Sequence, residues 1–78
     1  MNLEIYAARG AYYVRWTESP GALRWQREDE HWTTTREKLP AGARKVTIEE
    51  LPEDLQEEIL AFAARAAAMG NQLWSMSN

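Results

Sequence analysis

Thr47-Ile48-Glu49-Glu50-Leu51-Pro52-Glu53-Asp54-Leu55-Gln56-Glu57-Glu58-Ile59-Leu60 is the stretch in which the hydrophobic period changes, and that change decides the fold class. Downstream, Leu55, Ile59, Phe62, Ala66, Met69 and Leu73 recur in steps of three and four, the stripe of an amphipathic helix. Leu60, Ala63 and Ala67 widen it. Thr47 followed by Glu50 matches the capping-box pattern. Pro52 suits a first helical turn, where its missing N–H costs nothing. These signals predict one turn over 48–51 and a main helix over 52–69. Gly70 reads as a C-terminal stop, yet Leu73 continues the stripe, so the helix either ends at Gly70 or bends on to Trp74.

Upstream of Thr47 the period is two. Leu3, Ile5 and Ala7 alternate with Glu4, Tyr6 and Ala8. Gly10 then permits a tight turn. From Tyr12 the alternation resumes, with Tyr12, Val14 and Trp16 opposite Tyr13, Arg15 and Thr17. Glu18-Ser19-Pro20-Gly21 is a turn by composition. Leu23 and Trp25 then face away from Arg24 and Gln26, and after Glu28-Asp29-Glu30 the segment 31–36 offers a fourth strand. Leu39-Pro40-Ala41-Gly42-Ala43 breaks the pattern; 44–48 adds a short strand or leads into the helix. Six alanines lie between Ala61 and Ala68. Their small size suits close packing against Trp16, Trp25 and Trp32. The predicted fold is α+β: a three- to four-stranded antiparallel meander sheet packed on one face by a C-terminal helix. The predicted organisation is a single domain, 1–78, with sheet to 38, loop or short strand over 39–47, helix over 48–70 and tail over 71–78.

Size and composition narrow the function classes. A chain of 78 residues holds one small domain of modest core. It has no cysteine, which excludes disulfides and thiolate metal sites, and four tryptophans supply apolar area instead. Met1-Asn2-Leu3-Glu4 lacks a basic region and an apolar core, so no signal peptide is expected. No apolar run approaches the roughly 20 residues of a membrane span. The expectation is a folded cytoplasmic domain that does not engage a membrane.

Charge is split along the chain. Residues 1–46 carry a net +2 and residues 47–78 a net −5, giving −3 overall. All six acids of the second part, Glu49, Glu50, Glu53, Asp54, Glu57 and Glu58, fall within ten residues. Early carboxylates suit the helix dipole. Yet Glu53 and Glu57, like Asp54 and Glu58, are like charges at i, i+4 spacing, which repel by a few tenths of a kcal/mol per pair. Stability alone would place Lys at one of those positions. The acidic segment therefore reads either as a soluble helix start favourably placed on the dipole or as a negative patch that docks on a basic surface.

Catalytic signatures are missing. His31 is the single histidine, and Ser19, Ser75 and Ser77 lie in a turn or the tail, so no nucleophile stands beside an oriented base. His31 with Asp29 and Glu30 is a poor metal cluster, because adjacent residues seldom converge on one ion. No phosphate loop, zinc spacing or calcium loop is present. No catalytic residue, metal or cofactor is expected. The competing signal is basic: Tyr13, Arg15, Arg24 and Gln26 share one predicted sheet face, able to meet phosphates and stack bases. In the tail, Leu73 and Trp74 either fold back on the core or anchor a partner; monomer and homodimer both remain open.

Two resemblances bear on these faces. Tyr12-Tyr13-Val14-Arg15-Trp16 and Leu23-Arg24-Trp25 resemble the aromatic-and-basic strands of small DNA-reading sheets such as plant AP2-type and integrase arm-binding domains, in layout only. This chain departs from them in its net acidity. The segment Glu49–Glu58 on a mixed-charge domain resembles, in general character, the small acidic proteins of phages and mobile elements, among them the anti-CRISPR inhibitors. That resemblance implies stoichiometric binding to a host nucleic-acid-handling complex, with carboxylates standing in for phosphates. The expectation is therefore a non-enzymatic protein-binding domain. The alternatives are a nucleic-acid binder using its sheet face, or an accessory subunit of a larger assembly.

Overall fold

The expected alternation becomes five strands: β1 (Leu3–Ala8), β2 (Ala11–Trp16), β3 (Ala22–Glu28), β4 (His31–Glu37) and β5 (Arg44–Val46). A 3-10 turn (Ile48–Glu50) and helix α1 (Glu53–Ala68) follow. The computed structural model describes residues 3–17, 19 and 21–68. The chain divides into two compact units, residues 1–48 and 49–78. The fold class is α+β, with one more strand than the three or four expected.

Within the first unit the sheet order is β4-β3-β2-β1-β5, and every pair is antiparallel. The first four strands form the expected meander. Its first hairpin is closed by Arg9 and Gly10, both left-handed at φ 53° and 74°, between the paired residues Ala8 and Ala11. Two positive φ values in a two-residue loop make a type I′ turn, whose twist matches that of the strands. Asp29, at φ 57°, turns the β3–β4 hairpin.

Register places Val46, Ile5, Val14 and Leu23 in one row across the sheet. Val46, Ile5 and Val14 are buried, as are Trp16 and Trp25 on the same face. The other face has its own core. Ala11, Tyr13 and Ala22 are buried there, with Tyr6, Ala8 and Leu39 packed against them. The cover comes from the chain between β4 and β5. These strands lie on opposite edges and run in the same direction, four interstrand steps apart, or roughly 19 Å. Seven Cα steps from Glu37 to Arg44 reach at most about 26 Å, so the connection has to cross a face. Leu39 marks which one. A turn then closes with the Ala43 amide donating to the Pro40 carbonyl at 3.2 Å, with Gly42 at φ 83° supplying its left-handed position.

In the second unit α1 begins within one residue of expectation. The Gln56 amide donates to the Pro52 carbonyl at 3.0 Å, the Leu55 amide to Asp54 Oδ1 at 2.9 Å, and Gln56 Nε2 to the Leu51 carbonyl at 2.8 Å. The first is the opening i→i−4 bond of the helix, the second gives a partner to an amide that the helix start leaves without one, and the third ties the first turn to the residue before Pro52. Leu55, Ile59 and Ala66 are buried and Phe62 is half-buried, as the stripe predicts. Leu60 and Ala67 correct it: both are exposed, Leu60 at 57%. At 100° per residue Leu60 stands about 100° from Ile59, too far round the helix to share its burial. The readings of Met69, Gly70, Leu73, Trp74 and the tail fall outside the described residues.

Candidate functional site

The six acids sit together where the period changes. Glu49 and Glu50 belong to the 3-10 turn; Glu53, Asp54, Glu57 and Glu58 occupy the first turns of α1. All six are exposed. Helical geometry explains the arrangement. Leu55, Ile59 and Ala66 fall within an arc of about 40°; Glu53, Glu57 and Asp54 lie on the opposite side, and Glu58 lies on the flank of the arc. Burial of the apolar stripe therefore turns the carboxylates outward. Among the described residues, Glu53, Glu57 and Glu58 make no ion pair. Arg65 is the one cation in the α1 sequence, seven residues beyond Glu58 and about 10 Å further along the axis. Within α1 the six residues from Glu53 to Glu58 thus carry four negative charges and no positive one. Such a surface holds no proton-transfer geometry, but it attracts cationic groups over about a Debye length.

The alternative face assembles differently from the sequence expectation. Tyr13 and Arg24 are register partners, and Arg15 and Gln26 lie on the same side. Tyr13, however, is 2% exposed, because Leu39 and its neighbours close over it. A ring held in the core cannot stack on a base, so its assignment to a nucleic-acid face is corrected. Arg15 Nε donates to Glu4 Oε1 at 3.0 Å, and its guanidinium lies 5.4 Å from the Tyr6 ring centre. The Tyr6 hydroxyl donates to the same Glu4 oxygen at 3.0 Å. Hydrogen bonds from Arg15 and then Tyr6 hold the Glu4 carboxyl below its ordinary pKa, and the bond to Glu4 raises that of Arg15. Arg24 lies 3.8 Å from Glu37. Both arginines of the face already have carboxylates beside them.

The opposite face carries aromatic and cationic groups that sequence reasoning did not bring together. Tyr12 and Trp32 rings lie 6.4 Å apart and tilted by 58°, and the Arg27 guanidinium stands 4.5 Å from the Trp32 ring centre. The register Tyr12↔Trp25↔Thr34 is what brings Tyr12 near Trp32 on the next strand but one. A hairpin reading could have found that pair.

Among the described residues no group of three or more His, Cys, Asp or Glu side chains is placed to hold a metal, and no helix is long and apolar enough to cross a membrane. No family model, curated protein or solved structure matches this chain.

Proposed function

We propose that this chain is a non-catalytic protein-binding domain whose acidic helical surface docks on the basic, nucleic-acid-binding surface of a partner. Occupying that surface would make it an inhibitor of the anti-CRISPR kind. One observation carries the reading: the carboxylates of 49–58 are all exposed, while the buried residues of α1 take the other side of the helix. Asp54 caps the helix start, but Glu53, Glu57 and Glu58 make no ion pair among the described residues, and two i, i+4 pairs of like charge oppose the helix. A nucleic-acid channel is built to attract a closely spaced row of negative charge, and releases its counterions when one arrives. The sheet-face alternative loses its stacking residue with the burial of Tyr13.

The test is capture from nuclease-treated lysate, comparing wild type with a variant carrying Glu53→Gln, Asp54→Gln, Glu57→Gln and Glu58→Gln. Circular dichroism checks that the variant is folded. The expected outcome is a basic nucleic-acid-binding complex retained by wild type and lost by the variant, with affinity at low salt reduced at least about 10-fold. Equal capture of the same partner by both proteins would end the proposal.

A further inference from the structure

The two edges of the sheet are unlike. β5, at one end, is three residues long, and two of them, Arg44 and Lys45, are cationic. Short length and lysine are devices that keep a sheet edge from pairing with another chain. β4, at the other end, lacks both. It is seven residues long, holds no Lys, Pro or Gly, and keeps register with β3 through to its last residue without a bulge. Thr33, Thr34 and Thr35 at its centre are exposed and β-branched, a composition that favours strand pairing. We infer that β4 pairs antiparallel with β4 of a second copy of this chain, about a two-fold axis at Thr34, so that two five-stranded sheets become one.

Register shows which backbone groups such a pairing would use. The two-residue loop at 29–30 makes Glu28↔His31 a hydrogen-bonded pair, and bonded pairs recur at every second position, Gln26↔Thr33, Arg24↔Thr35 and Ala22↔Glu37. Counting from the other hairpin, with Ala8↔Ala11 as its bonded pair, assigns the same residues of β3 to β4. Thr33 and Thr35 therefore direct their N–H and C=O groups at β3, and Thr34 directs its own away from the sheet. Trp32 and Arg36 follow Thr34 in this alternation. Their side chains are engaged on the sheet itself, Trp32 with Tyr12 and Arg27, and Arg36 beside Gly21. The proposed contact calls on backbone rather than on those side chains.

The strand is complementary to itself about Thr34. In antiparallel pairing Thr34 meets the partner's Thr34, Thr33 the partner's Thr35, and His31 the partner's Glu37. Every residue of β4 then has an opposite; moving the axis by one residue leaves one end of each strand overhanging. The His31–Glu37 position is a close, non-bonded pair of the ladder. Glu37 accepts from Thr35 and lies 3.8 Å from Arg24, yet its side chain is 46% exposed, and a carboxylate has room for a further donor. Parallel pairing in register would instead set Arg36 beside the partner's Arg36 and Glu37 beside the partner's Glu37, like charges that repel. A partner of identical sequence thus fits this edge along its whole length. Residues 49–58 take no part, so failure of this inference leaves the docking proposal standing.

The experiment is sedimentation velocity from about 10 μM to 1 mM, joined to amide hydrogen exchange at both ends of that range. A single strand pair is a small interface, so the 9.0 kDa chain should pass from monomer to dimer within it. The Thr34 amide should exchange freely when dilute and become protected when concentrated, while those of Thr33 and Thr35 stay protected throughout. Thr34→Lys brings like charges together on the axis and keeps the N–H; Thr34→Pro removes that outward donor without touching a bond to β3. Each should weaken dimerisation at least about 10-fold, with circular dichroism confirming the fold. A chain that stays monomeric at 1 mM would overturn the inference. So would a dimer indifferent to Thr34→Lys, or one in which protection of the Thr34 amide does not follow concentration.

Discussion

In residues 1–48 charged side chains are drawn toward one another: Glu4 accepts from Arg15 and Tyr6, Arg24 approaches Glu37, and Arg27 rests on Trp32. Along residues 49–68 the pattern reverses. Glu53, Glu57 and Glu58 stand exposed on α1 without an ion pair among the described residues. Both units bury an apolar set, so the contrast lies in what is done with the remaining polar surface. In the sheet, Arg15 and Arg24 each meet a carboxylate of the adjacent strand at short range. In the helical unit, like charges add, and the field extends outward. A charge that has found its partner contributes to the fold; one that has not is available to another molecule. The number of charged residues alone would not separate the two, since the sheet unit carries more of them than the helical unit.

The largest expected effect breaks the contrast from the sheet side. Tyr13 sits among Arg15, Arg24 and Gln26, which from sequence looks like a polar face, yet it is buried with Ala11 and Ala22. Tyr13→Ala should cost about 3–5 kcal/mol in chemical denaturation, as truncation of a buried aromatic does. A loss below about 1 kcal/mol, the range of surface substitutions, would mean that the connection over 38–43 does not cover this face in solution. The polar face would then be open after all, and the difference between the units would shrink.

How much of this was legible in the sequence follows from how local each determinant is. The start of α1 was read to within a residue because Pro52 and the switch of period lie in the element itself. The meander was read because Gly10 and the polar turn at Glu28-Asp29-Glu30 punctuate neighbouring strands. The sequence does not decide β5, since Arg44-Lys45-Val46 holds one apolar residue and owes its conformation to β1, far upstream. Tyr13 was misassigned for a related reason. Its alternation with Tyr12 was read correctly, but alternation says only which face a side chain takes, and the cover for that face is Leu39, brought across by topology. The acidic cluster was legible as a cluster, and its exposure follows from the arc the apolar stripe occupies.

A smaller effect sharpens the sheet side of the comparison through pH. The Glu4 carboxyl titrates below its ordinary value because Arg15 and Tyr6 donate to its charged form. A depressed folded-state pKa means stability that is fully present above the unfolded-state value of 4.5 and is lost as pH falls through the lower folded-state value. Glu4→Gln should therefore lower Tm at neutral pH, and the gap from wild type should close in acid. The effect should stay well under that of Tyr13→Ala, because Arg15 is 28% exposed and solvent screens the pair. A gap independent of pH would show that the substitution acts through packing rather than charge.

The smallest expected effect decides most about the helical unit, because there stability and binding should move in opposite directions. Glu57→Lys replaces the repulsive Glu53–Glu57 pair by an attractive one at i, i+4, with the acid N-terminal to the base, the better orientation. Removing one term and adding the other should raise stability by about 0.4–1 kcal/mol. Residue 57 lies beyond the first turn, so little of the dipole's favour is forfeited. Were the acidic arc only a solvated surface, this gain would come at no cost to any partner. If it is a docking face, the same substitution places a cation in the middle of a surface built to meet cations, and capture of the partner should fall by more than neutralising Glu57 alone achieves. Glu57→Gln supplies that reference: it removes the repulsion but adds no opposing charge. A ranking of wild type, Gln, then Lys in affinity, with the reverse ranking in Tm, is the signature of a charge kept against the interest of the helix. A Lys variant that is more stable and binds as wild type does would return the arc to an ordinary helix surface.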